Sequence, residues 1–166
     1  MKNTFLALML FLPGAAFAAS NPDASFYKNA AEGGIFELDA GHMAQEKGTS
    51  QQVKDFGAMM VKDHTAASDK LQSMASSKNI TLPTSASVAQ MATEEKLKVL
   101  SGKTFDKSYV KSQVSAHQKT IALFEKEASS GRDSDAKAFA SATLPTLRAH
   151  LKAITSIATN LGATVK

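Results

Sequence analysis

The sequence predicts an all-α protein: four long helices in a bundle, with one long connection between the second and the third. Three observations carry this. Apolar residues recur at alternating steps of three and four in four separate stretches, and no β pattern of any length is present. The links inside the first and second pairs of stretches are short, whereas about 25 residues separate the pairs. Each apolar stripe also carries one polar residue near its middle, where a Leu or Ile would ordinarily sit: Glu37, His64, His117 and His150.

The chain opens on an export signal. Lys2 is the positive start, Phe5 to Leu12 the apolar run, and Ala16-Phe17-Ala18 a small-x-small cleavage site. Residues 1–18 are therefore read as a signal peptide cut between Ala18 and Ala19, and residues 19–166 as a single domain. The apolar run is too short to span a bilayer and Pro13-Gly14 breaks it. No Cys follows the cleavage site to take a lipid, so the mature chain is expected in the periplasm of a Gram-negative cell.

Helix one is expected from about Asp23 to Lys47, capped by Asn21 or Asp23, with the stripe Phe26, Ala30, Gly33, Glu37, Ala40, Ala44. Gly33-Gly34 inside it costs roughly 1 kcal/mol per Gly relative to Ala, and close packing of a neighbouring helix on bare backbone is the expected reason. Gly48 ends the helix and Thr49 or Ser50 caps the next, from about Gln51 to Lys78. Its stripe is Val53, Gly57, Met60, His64, Ala67, Leu71, Met74, with Met60 as core filler. The long connection, Asn79 to Lys103, starts as an extended loop and holds a short helix from Thr93-Glu94-Glu95 to Leu100. It is long enough to return along a helix of some 40 Å, so helices two and three are expected to run parallel.

Helix three spans about Thr104 to Ser130, with Asp106 in its positive first turn and the stripe Val110, Val114, His117, Ile121, Phe124, Ala128. Helix four starts at Asp133 or Ser134 and runs to about Asn160 along Thr143, Leu147, His150, Ile154, Ile157, Leu161. Pro145 removes one backbone bond from it and predicts a kink one turn before His150. Two antiparallel pairs joined by one crossover that carries a short extra helix form the ferritin-like plan of a four-helix bundle.

Composition narrows the chemistry. The absence of cysteine excludes thiolate metal sites, iron–sulfur clusters and thiol catalysis, and leaves an exported domain without disulfides. The net charge of +4, or +3 without Lys2, is spread over interleaved lysines and acids. With two arginines and no basic stripe, nucleic acid is not an expected partner. No stretch of the mature chain is apolar enough to be a transmembrane segment, no protein partner is named, and homo-oligomerisation is left open. No nucleophile–His–acid set, phosphate loop or nucleotide fingerprint is present, so no catalytic residue is assigned.

One acid and three imidazoles on the inner faces of a bundle point to a metal, because metal–ligand bonds offset the cost of burying them. Measured from the turns, the four residues fall within about one helical turn, or 6 Å of rise, of one level. Glu37, His64, His117 and His150 are therefore the expected ligands of one ion or a close pair, drawn from Fe, Zn, Cu, Mn and Ni. Asp63, one step off the stripe, is placed to orient a ligating imidazole. His42 and Glu125 are expected at the surface, and Tyr27 and Tyr109 are the two tyrosines that could reach the site.

The chain resembles the bacterial domain of unknown function 4142 family. The resemblance rests on Ala31-Glu32-Gly33-Gly34-Ile35-Phe36-Glu37, on Val53 to Gly57 and Met60-Val61-Lys62-Asp63-His64, on Ser101 to Asp106 with Tyr109 and His117, and on Leu144-Pro145-Thr146-Leu147-Arg148-Ala149-His150-Leu151. It covers nearly all of the mature chain and implies an exported ferritin-like bundle, without supplying an activity. The sequence departs from di-iron members of the ferritin-like group, which carry an acid three residues before two of their histidines. Val61 and Leu147 hold those positions here. Metal storage, buffering or stress protection is the leading functional reading. A metal-free envelope protein with a buried polar network is the second, and a metal-dependent oxidase or peroxidase-like enzyme the third.

Overall fold

The computed structural model describes residues 21–165, and the expected signal peptide with its expected cleavage position lies outside the described residues. Five helices form: α1 (Ala24–Lys47), α2 (Gln51–Ser77), α3 (Val88–Val99), α4 (Gly102–Ser130) and α5 (Ser134–Asn160). No strand occurs among the described residues. The third and fourth helices of the sequence reading are α4 and α5. The hairpins α1–α2 and α4–α5 pack most extensively within themselves, α1 meets α4 and α2 meets α5 across the bundle, and α3 lies against α1 and α4. None of these helices is long and apolar enough to cross a membrane.

Carboxylates at the two ends lock the hairpins together. Asp106, in the opening of α4, accepts from the Thr49 and Ser50 backbone N–H groups at 3.0 and 2.9 Å and from the Thr49 hydroxyl. The start of α4 thus sits beside the start of α2, and the two helices run parallel, as the crossover requires. Asp106 was expected to serve its own helix dipole; instead it satisfies the free N–H groups ahead of α2, whose N-cap Ser50 makes no side-chain cap bond. At the opposite end Asp23 does the reciprocal job. Its side chain caps nothing in α1 and accepts from the Arg132 and Asp133 N–H groups in the α4–α5 turn. Asp133 caps α5 as expected, accepting from Asp135 and Ala136 N–H, and also takes bonds from Asn21 and Tyr27.

The crossover helix begins earlier than Thr93. Ser87 is its N-cap, and the Ser87 N–H and hydroxyl both donate to Gln90 Oε1, at 3.0 and 2.6 Å. This Ser-x-x-Gln capping signal fixes the start at Val88, five residues before the predicted one. At the other end of α3, Lys47 Nζ reaches from α1 to donate to the carbonyls of Leu97 and Lys98. Helix α5 stays helical on both sides of Pro145, which faces solvent.

The closest helix–helix approach is not at Gly33-Gly34. A Cβ on Gly57 would lie 2.6 Å from Gly41 O and 2.7 Å from Ala44 Cβ, so the α1 and α2 backbones meet at Gly41 and Gly57. A Cβ on Gly34 would meet only the Ser68 hydroxyl at 3.0 Å, and one on Gly33 would meet nothing nearer than 4.0 Å. The apolar core is in two clusters. One holds Phe36, Val53, Phe56, Met60, Phe105, Val114 and Ile154; the other holds Phe26, Leu71, Phe124, Phe139 and Leu147. The polar residues of the four stripes lie where the clusters meet.

Candidate metal centre

Each long helix delivers one of the predicted residues to the interior: α1 Glu37, α2 His64, α4 His117 and α5 His150, all buried. The three histidines converge, with one ring nitrogen from each lying within 4.8 Å of the others. Their ring centroids are 5.5–6.1 Å apart. Ligands on a tetrahedral ion with bonds of about 2.0–2.1 Å stand roughly 3.3 Å apart, so shifts of about 1 Å per side chain would close the set. Phe56 packs edge-on against His117 and His150 at 6.1 and 6.3 Å and walls one side.

Hydrogen bonds orient two of the imidazoles. His117 Nδ1 lies 3.0 Å from the Gln113 carbonyl oxygen one turn earlier in α4, so that nitrogen carries the proton and Nε2 is left with a bare lone pair. His150 Nε2 lies 3.0 Å from Asp63 Oδ2, and Nδ1 is the bare nitrogen there. Asp63 is half-buried at the bundle surface and occupies the orienting position expected of it. His64 Nε2, His117 Nε2 and His150 Nδ1 are all buried without a hydrogen-bond partner. Burial, reinforced by the neighbouring imidazoles, lowers the His64 pKa to about 3. Burial also brings His117 to about 4, against the opposing pull of its bond to Gln113. Both rings are therefore neutral at physiological pH and offer lone pairs rather than charge.

Glu37 is brought to the same level but not into the same cluster. Its Oε1 lies 3.6 Å from His117 Nδ1, the side of that ring turned to Gln113, while Oε2 is buried and unpartnered. Burial raises its pKa to about 8; the Gln113 amide, close by but short of a formed hydrogen bond, pulls the other way. Two further residues complete the layer: Tyr109, one of the two tyrosines expected to be able to reach the site, and Gln113, which the sequence reading did not assign. Gln113 is fully buried with neither amide atom paired, and Tyr109 is fully buried with its hydroxyl unpaired and its pKa raised by burial and by Glu37. Tyr109, Gln113 and His117 recur every four residues on one face of α4, which is the sequence signal for Gln113. His42 and Glu125 are exposed, the latter paired to Arg148 at 2.8 Å, and Met60 is core, as expected.

The family model for a domain of unknown function, DUF4142, matches residues 12–157. The chain belongs to the DUF4142 family. No curated protein matches it. Among solved structures this DUF4142 chain is similar to a DUF305 fragment from Deinococcus radiodurans, at 11% identity and a TM-score of 0.74, covering 83% of this chain and 95% of that one. It is also similar to a DUF305 protein from Streptomyces coelicolor, named as a candidate secreted protein, at 13% identity and a TM-score of 0.74, covering 89% and 98%. At these identities the likeness is one of fold.

Proposed function

We propose that this protein is an exported, periplasmic bundle of the ferritin-like kind that binds a transition-metal ion through His64, His117 and His150, in metal handling or stress protection. Glu37 is the adjoining carboxylate and Asp63 the group that orients His150. The observation that carries the reading is a set of three buried imidazoles that bring one ring nitrogen each within 4.8 Å of the others and each keep one nitrogen unpartnered. Leaving a buried polar atom unpaired costs about 1–3 kcal/mol, and an ion among the three imidazoles would engage all three at once. Neutral imidazoles suit Fe, Zn, Cu, Mn or Ni, and three of them on a zinc ion leave a fourth position. A closed polar network without metal would instead pair these atoms with one another, and they are not so paired.

The test is elemental analysis of the mature protein, purified from periplasm without a histidine tag or chelator, beside a His64→Ala/His150→Ala double variant. The expected result is about one equivalent of a transition metal in the wild type and none in the variant. With free metal at a thousand times Kd, the folded state should gain about 4 kcal/mol, read as a rise in Tm. A folded wild type that carries no metal and is unmoved by added Zn, Fe, Cu, Mn or Ni overturns the proposal.

A further inference from the structure

The polar layer has packed side chains on one flank and space on the other. Phe56 closes the His117–His150 flank. Against His64 and Glu37 lies a cavity of about 30 Å³ that is also lined by Gly33, Gly34, Ser68, Thr120 and Thr143 and otherwise by apolar side chains. It touches neither His117 nor His150. The two site residues that border it are each more than nine-tenths buried and bring unpartnered atoms, His64 Nε2 and Glu37 Oε2. One water needs about 10–15 Å³ of such space, so the cavity suits about two waters or one molecule of two or three heavy atoms.

Both glycines border this space, and a Cβ on Gly34 would press on the Ser68 hydroxyl at 3.0 Å. Alanine is the better helix former at both positions. A Cβ on Gly33 would meet only Gln90 and Thr120 side-chain atoms, both at 4.0 Å, so nothing in the packing requires glycine there. The methyl would instead take up room beside Thr120, which lines the cavity.

We infer that this chamber seats a small exogenous ligand of the bound metal, a di- or triatomic molecule or anion that coordinates at one end and lies among apolar walls at the other. This rests on the metal-site reading above and names the class of ligand that the site takes. The test loads the protein with Co(II) and titrates azide, following the visible bands of the ion. Azide should shift the cobalt bands of the wild type. Gly33→Ala and Thr120→Leu should keep the cobalt spectrum and stoichiometry while weakening azide at least tenfold. Cobalt bands that azide leaves unmoved, or equal azide affinity in wild type and both variants, overturn the inference and leave the metal site standing. A folded wild type that takes up no cobalt overturns both.

Discussion

The middle of the bundle and its ends bury polar groups in opposite ways. At the ends, Asp106, Asp23 and Asp133 are buried and richly bonded, each to backbone N–H groups of a turn or helix start. Asp133 shows the consequence: burial alone would raise its pKa, yet bonds from Asn21, Lys78 and the α5 start hold it down to about 2. In the middle, Glu37, His64, Tyr109, Gln113, His117 and His150 each keep at least one buried polar atom unpaired. Among the described residues only Glu94 and Glu127 share that property elsewhere. Polar groups buried for the sake of the fold are saturated by the fold. Those in the middle are left open, the condition in which a ligand from outside finds partners.

The largest effect that sharpens this contrast is at the ends. Asp106→Ala strands two N–H groups and a hydroxyl and should cost about 3–5 kcal/mol, read as a fall in the urea midpoint. A loss below 1 kcal/mol would erase the distinction between the two regions. Asp63→Asn comes next. It leaves the half-buried surface contact in place but weakens the orientation of His150, and should reduce metal affinity about 10–100-fold with little change in the stability of the metal-free protein. Competition with a chromophoric chelator reads this directly.

The joint replacement of His64, His117 and His150 by Leu should leave the metal-free fold as stable as before, or more so, since the bonds to Gln113 O and Asp63 that go are offset by removing three buried, unpaired nitrogens and burying apolar side chains in their place. Severe destabilisation in denaturant melts would show that the middle is a structural network after all. The smallest effect concerns Glu127, the exception at the ends. Burial, then the neighbouring Asp23, raises its pKa to about 7 from the ordinary 4.5. A raised folded-state value means that its contribution to stability is complete below about pH 4.5 and drains away as pH rises through 7. Tm measured from pH 4.5 to 8 should therefore fall more in the wild type than in Glu127→Gln; parallel curves would contradict the assignment.

Much of this was legible in the residues because helices report their buried face through local periodicity. The stripes placed Glu37, His64, His117 and His150 inside before any contact was known, and the boundaries of α1, α2 and α5 followed from Gly48, Ser50, Asp133 and Gly162. Where the reading slipped, a partner distant in sequence was responsible. Asp23 sits at the N-cap of its helix and Asp106 near the start of its own, but their acceptor oxygens serve turns about 110 and 57 residues away. Gly33-Gly34 reads like a packing motif, yet which glycines meet depends on the register of α1 against α2, and that register chose Gly41 and Gly57. The start of α3 is the exception, since the Ser87–Gln90 signal was local and available.

The sequence by itself determined that four helices form, which face each one buries, and that each carries a polar residue into that face. Periodicity is a property of one helix and needs no neighbour. Only the tertiary structure decided how those residues meet. It brought the three imidazoles within 4.8 Å, set Glu37 against the far side of His117, and left space beside His64. Those distances depend on helix register and rotation, which are fixed by packing and by the carboxylates at the two ends of the bundle.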